Sequence, residues 1–252
     1  MINIEKTDIH GFEAAIRGMR NPKNSWDKSD SGLSLLNPDD AELGYTPEYE
    51  YSIGENDFRL MMNLRNAGTD HRKFMRMIVV WCDITAPLYW WKEFDTYKVG
   101  TVADSCSTMH KIHAKEFTRD DFSIELNGKD AALLGIKAPF YRFKFSIDET
   151  INNLNLARDL YNAAGEEIKR HSKHVITTGA TLKELEERQK FFWNQMIQML
   201  PSSYNQKRTV MLNYEVLANI YKARKDHKLK EWHDLCRWIE SLPYSQLITG
   251  GD

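Results

Sequence analysis

The sequence predicts an α+β fold: a mixed sheet, a long aromatic-rich helix after the core strand, and a helical C-terminal half. Three observations carry this. Residues 73–84 (KFMRMIVVWCDI) are apolar and rich in β-branched side chains, as a core strand requires. Directly after them, Trp90, Phe94 and Tyr97 recur at i, i+4 and i+7, the spacing of one helix face. The last hundred residues then carry helical periodicity, bounded by start and stop signals.

The elements follow in order. Ile2 and Ile4 alternate with polar neighbours and predict a short strand. Phe12, Ile16 and Met19 predict a short helix over 11–19. Residues 20–56 are rich in Asn, Pro, Asp, Ser and Gly, yet hold Trp26, Tyr45, Tyr49 and Tyr51. They read as a long ordered loop or insertion, because those rings are expected to be packed. Asp57 suits the cap of a helix reaching Asn66, with Leu60, Met61 and Leu64 inward and Gly68 ending it. Thr85-Ala86-Pro87 suits the start of the aromatic helix, covering 86–97. Residues 99–109 read as a small, polar loop, and 120–147 as two or three short strands. Helices are then expected over 148–172, from the Thr181–Glu184 capping box to Met199, over 205–225 and over 229–242. Pro201 stops the second of these, and Gly179 marks a turn before it. With no internal repeat and no composition break, 1–252 reads as a single domain.

Composition narrows the function classes. The 252 residues carry 34 Lys+Arg against 36 Asp+Glu, a net charge of −2, which argues against a broad nucleic-acid surface. Hydrophobic residues at 42% and aromatics at 12% supply enough apolar surface to exclude low-complexity disorder. Three Cys (Cys82, Cys106, Cys236) lie far apart and make neither a disulfide framework nor a CxxC metal pair. Reduced thiols and the lack of a leader pattern point to a cytoplasmic protein, and no apolar run is long enough for a membrane span.

Signatures for dinucleotide folds, P-loops, nucleophile elbows and zincins are absent. His110 and His113 have no partner spaced to complete a metal site. Cys106 stands in a Ser/Thr-rich loop, either as a nucleophile or as a small packed residue. Asn213, Leu217, Ile220, Arg224 and His227 fall on one stripe at 100° per residue. Their polar members are either satisfied core groups or reach a ligand, where Arg224 offers a planar fork to a phosphate or a pyrimidine carbonyl. The run Lys222, Arg224, Lys225, Lys228 and Lys230 also reads as a solvated helix end whose cations complement the helix dipole. The stretch 96–110 has two readings. It is an anion cradle built from Lys98, Thr101, Ser105, Ser107 and Thr108, or a hydroxyl-rich structural turn.

Two segments resemble the flavin-dependent thymidylate synthases (the ThyX, or thymidylate synthase-complementing, family). The first is LRNAGTDHRKFMRMIVVWCDITAPLYWWKEFDTYKVGTVADSCSTM, over roughly 57–110. The family signature Arg-His-Arg-x-x-Ser-x-Asn-Glu-x-Ser-x-Arg falls without gaps on Thr96, Tyr97, Lys98, Thr101, Ala103, Asp104, Cys106 and Thr108. The second is LPSSYNQKRTVMLNYEVLANIYKARKDHKLKEW, where Leu200-Pro201, Asn213, Asn219, Arg224 and Asp226 match by identity. A weaker match puts Ser25, in RNPKNSWD, near a flavin-contacting Ser. The chemistry of the first segment departs from the family. Both signature-end arginines become Thr, and His71-Arg72-Lys73-Phe74 does not reproduce the family's His-Glu-Thr-Pro stretch.

The resemblance implies a ThyX-like fold, a homotetramer and a pyrimidine mononucleotide substrate such as dUMP. It implies FAD as cofactor, with NADPH and methylenetetrahydrofolate as co-substrates, in methylation or another modification at C5. It gives Arg224 the catalytic position. Asn213, Asn219, Tyr97, Lys98 and Ser25 take cofactor positions. Arg224, Thr101, Asp104, Ser105, Cys106, Ser107 and Thr108 take substrate positions. The other outcome is a ThyX-fold nucleotide-binding protein without flavin chemistry.

Overall fold

A computed structural model describes residues 2–35, 49–125, 128–173 and 179–250. It divides into two compact units: Met1–Thr85 with Lys92–Asp104 and Arg208–Asp252, and Ala86–Trp91 with Ser105–Lys207. Tyr45 lies outside the described residues.

The first unit opens with β1 (Asn3–His10), which runs antiparallel to β4 (Val79–Pro87) and pairs Asn3 with Thr85 and His10 with Val79. Gly11 then turns the chain into α1 (Phe12–Arg20) at φ +102°. A Cβ there would stand 2.0 Å from the Met77 carbonyl oxygen, so this turn requires glycine. Two 3₁₀ turns and a hairpin, β2 (Gly32–Leu35) with β3 (Tyr49–Ser52), occupy what reads in sequence as a loop. Trp26, expected to be packed, is 50% exposed.

Helix α2 (Glu55–Asn66) begins at Gly54, one turn ahead of the expected cap. Its first amides, Asn56 and Asp57, donate to the Asp30 carboxylate at 2.9 and 3.0 Å. Asp57 itself is fully buried. It accepts from Arg20 Nε (2.6 Å), Ser29 Oγ (2.6 Å) and Ser31 Oγ (2.7 Å). A capping residue read from spacing is thus one half of a buried ion pair.

Residues 72–77 form a 3₁₀ turn ahead of β4 rather than its first half. Phe74 and Met75 are buried there, which explains their strand-like apolarity. Ala86-Pro87 ends β4 instead of opening the next helix, α3 (Leu88–Phe94), which is shorter than expected. The amides of Leu88 and Tyr89 donate to the Tyr204 and Ser202 carbonyls, so the helix starts only after those bonds. At its other end Thr96 and Tyr97 donate to carbonyls three residues back, a tightened final turn.

The expected loop at 99–109 holds a strand, β5 (Val102–Ser105). The expected helix at 205–225 is two elements, β6 (Asn205–Asn213) and α7 (Tyr214–Arg224). The sheet order is β1-β4-β6-β5. Val210, Leu212, Tyr214, Leu217 and Ile220 are buried beside strand residues Val80 and Ile84. Helix α8 (Lys230–Glu240) adds Trp232, Leu235 and Ile239, and α9 (Gln246–Thr249) adds Leu247 and Ile248.

The second unit is helical where strands are expected over 120–147. It carries α4 (Gly128–Leu133) and the 36-residue α5 (Lys137–Ser172). Its core joins Ile112, Phe117, Phe122, Ile151, Leu154 and Met196. Asn155 fastens Phe117 by both its amide and its carbonyl, at 2.9 and 2.8 Å. Helix α6 (Leu182–Met199) starts at the predicted box: the Thr181 hydroxyl accepts from the Glu184 amide, and the Glu184 carboxylate takes the Thr181 N–H. Thr181→Ala is expected to lower the unfolding free energy by about 1 kcal/mol in urea denaturation, whereas Thr181→Ser leaves it within error.

No described helix is long and apolar enough to cross a membrane.

Candidate functional site

The junction of β6 and α7 sets the geometry. Asn213 is the last strand residue, and its side chain accepts from the Val216 amide at 3.0 Å, capping α7. Gly100, at φ +78°, packs against the Asn213 carboxamide; a Cβ would stand 2.7 Å from Nδ2. Gly100→Ala therefore strains a left-handed residue and pushes a buried cap. We expect a loss of about 1–2 kcal/mol in thermal or urea unfolding.

Three turns on, Arg224 closes α7. Its Nε donates to Tyr97 Oη at 2.9 Å, and its Nη1 donates to Glu93 Oε2 at 2.8 Å. The guanidinium lies 4.5 Å from the Trp232 ring centroid and 5.7 Å from that of Tyr97. Trp232 Nε1 donates to the same Glu93 oxygen at 2.9 Å. His227 Nδ1 accepts from the Leu229 amide, which leaves the ring proton of the neutral form on Nε2, 3.6 Å from Glu93. With only 18% of its side chain exposed, Arg224 keeps three N–H donors beyond these two bonds.

Tyr97 also lines a 330 Å³ cleft with Phe94, Asp95, Lys98, Thr101 and Ala103. Asp95 is paired with Arg208 at 2.7 Å, so its charge is already met. Thr101 Oγ1 is buried with no hydrogen-bond partner among the described residues. Ala103 and Asp104 are successive residues of β5 and take opposite faces, so Asp104 does not line the cleft beside Ala103. The cleft thus brings together Tyr97, Lys98 and Thr101, and strand alternation separates Asp104 from them.

The remaining nominated residues have other settings. Asn219 Oδ1 accepts from Arg72 Nη2 at 3.1 Å, and Arg72 and Arg76 both pair with Glu215. Burial alone would raise the Glu215 pKa, but these two cations hold it below the usual range. Ser25 accepts from Arg20 through its carbonyl at 3.0 Å, on a 720 Å³ cleft with Lys23, Lys28 and Arg59. In the second unit, the Cys106 amide donates to the Lys207 carbonyl, and its carbonyl accepts from Gln206 Nε2. The Cys106 thiol is free and exposed. Ser107 Oγ accepts from the amides of Met109 and His110, a local turn. Ser105 is exposed and Thr108 half-buried. No hydrogen bond, ion pair or ring contact among the described residues joins Ser25, Asn219 and the Tyr97–Lys98 pair.

The sequence reading missed Glu93 and gave Trp232 no role. The signal was present in the spacing of Glu93 and Tyr97, an acid and a phenol four apart at the end of a helix.

No family model and no curated protein matches the sequence. Solved structures do. Thymidylate synthase X (ThyX) from Helicobacter pylori with FAD and dUMP superposes at a TM-score of 0.61 with 15% identity, over 99% of this chain and 98% of that one. A second ThyX structure from H. pylori, also complexed with FAD and dUMP, gives the same score and identity over 98% of both chains. The chain therefore has the α+β fold of a flavin-dependent thymidylate synthase.

Proposed function

We propose that this protein is a divergent flavin-dependent thymidylate synthase-like enzyme acting at C5 of a pyrimidine deoxynucleotide such as dUMP. It would use FAD, NADPH and a folate one-carbon donor, as a cytoplasmic homotetramer. The observation that supports it best is the Arg224 fork, held by Tyr97 and Glu93 with three N–H donors left over. Tyr97 joins that fork to the cleft of Lys98 and Thr101.

In this reading Lys98 and the unpartnered Thr101 hydroxyl take the phosphate. Arg224 donates to a ring carbonyl and stabilises the negative charge that develops on the pyrimidine. Glu93 and Tyr97 are positioning residues. Asn219 takes a cofactor position by resemblance, beside Arg72, which donates to it and pairs with Glu215. FAD supplies the hydride when bound. Asn213 Oδ1 is committed to the α7 cap, which leaves its Nδ2 to reach FAD.

A second reading, nucleotide binding without flavin chemistry, is favoured by one observation: Glu93 already neutralises Arg224. The visible spectrum of the purified protein after adding FAD, with dUMP calorimetry, separates the two. Flavin absorbance with dUMP binding supports the enzyme, and dUMP binding to a protein that never takes up flavin supports the second reading. No dUMP binding overturns both. Arg224→Ala is expected to weaken dUMP at least ten-fold; unchanged binding removes Arg224 from the site.

A further inference from the structure

The turn that joins α4 to α5 presents aliphatic side chains to open space. Gly135 takes φ +68°, and a Cβ there would meet no atom within 4 Å. Around it Leu133 is 86% exposed, Leu134 71% and Ile136 42%. The backbone of this tip is already satisfied. The Ile136 amide donates to the Ala131 carbonyl at 2.9 Å and the Gly135 amide to the Ala132 carbonyl at 3.3 Å, a Schellman closure. The tip can therefore leave water without stranding those two donors.

The helix that follows continues the pattern. Tyr141 and Phe145 are exposed on one side of α5, and Phe143, also exposed, points some 200° away from them. A rigid partner laid along a helix covers one face, whereas a fluid medium covers all of them. Charge narrows the medium. Residues 131–147 hold Lys137, Arg142 and Lys144 and no acid, in a chain whose net charge is −2. All three cations are exposed, and the next acid, Asp148, is paired with Arg119 at 2.8 Å. In a closed two-fold contact centred on this patch, a second copy would set cation against cation. The aliphatic tip, for its part, offers no ring on which a nucleic-acid base could stack.

We propose that the Gly135 tip and the first turns of α5 form a peripheral docking surface for a bilayer that carries anionic lipid. Leu133, Leu134 and Ile136 enter the boundary between headgroups and acyl chains. Lys137, Arg142 and Lys144 lay their stems along that boundary and carry their charges to the lipid phosphates. The attachment is shallow and reversible, with nothing spanning the bilayer.

Co-sedimentation of the full chain with vesicles tests this. Phosphatidylcholine vesicles containing roughly a third phosphatidylserine should bind the protein about ten-fold or more tightly than phosphatidylcholine alone, and added salt should shrink the difference. Lys144→Gln should weaken binding to the anionic vesicles about five-fold. Leu133→Ser combined with Leu134→Ser, at exposed positions that keep the circular dichroism of the fold, should abolish it. The added emission of Leu134→Trp over wild type should shift to the blue on the same vesicles. Failure to bind the anionic vesicles, equal binding to both kinds, or indifference to the paired Leu→Ser change overturns the proposal. If the wild type ignores vesicles, loss of an oligomer in the Leu→Ser pair would assign the tip to a second copy. Capture of a single-stranded oligonucleotide that depends on Lys144 would then assign it to nucleic acid. None of these readings bears on dUMP at Arg224.

Discussion

Replacing Asp57 by Asn is expected to lower the unfolding free energy by about 3–5 kcal/mol, measured by urea denaturation at neutral pH. The carboxylate has no exposure and accepts five hydrogen bonds: from Arg20, from the hydroxyls of Ser29 and Ser31, and from the amides of Asp30 and Ser31. An amide keeps the shape but turns one acceptor into a donor facing donors. It also leaves Arg20, with 4% of its side chain exposed, without a counter-charge. The pH dependence has a defined sign. Burial would raise the Asp57 pKa, but the bonds from Ser29, Ser31 and Arg20 outweigh it and hold it below the usual carboxylate range. The unfolded chain then binds the proton first as pH falls. The Asp57 contribution is complete above an unfolded pKa of about 3.9 and fades as pH drops through the folded value. The stability gap between wild type and Asp57→Asn should narrow over that acid window and stay flat above pH 6. A gap independent of pH would mean that Asp57 holds its proton equally in the folded and unfolded states, and a gap that narrows as pH rises above about 4 would mean that the carboxylate is protonated in the fold.

Glu93 carries the second large effect. It meets Arg224, Trp232 and His227 within 3.6 Å. Glu93→Ala removes an acceptor from buried Trp232 and the counter-charge from Arg224, and should lower stability by about 1–3 kcal/mol. Glu93→Gln separates charge from shape. It keeps an oxygen for Trp232 and the fork but frees the cation, so dUMP should bind at least three-fold tighter, with a steeper loss on adding salt. Weaker binding would mean that the ionised Glu93 orients the fork and that the orientation outweighs its charge. Equal binding would place the nucleotide away from Arg224.

The parts of the fold legible in sequence are those where one local signal had no rival. The Thr181–Glu184 box and the α1 stripe are of that kind, and so is the capping stripe from Asn213 to Arg224, whose Leu217 and Ile220 are buried as the spacing requires. The misread parts had two competing periods. Val210 and Leu212 alternate, as a strand does, but they continue straight into a helical stripe, and the helical period reads back over β6. The reverse happened in α5. Tyr141, Phe143 and Phe145 alternate like a strand yet lie on a helix, where residues two apart point some 200° apart; no single face covers them, and each is at least 60% exposed. Within the candidate site, Arg224 stands out in sequence because helix spacing and resemblance agree. Glu93 and Asp57 act across 131 and 37 residues of chain, and no local pattern reports a partner at that distance.

The direct passage of β6 into α7 has a consequence for what this gene can tolerate. One residue deleted between Asn205 and Leu212 would turn every later strand side chain to the opposite face. It would also shift the Asn213 cap away from Gly100. There is no connecting loop to absorb the change, so selection on this stretch admits substitutions and rejects length variants. Gaps between this chain and its distant structural relatives should therefore spare the twenty residues that end at Arg224.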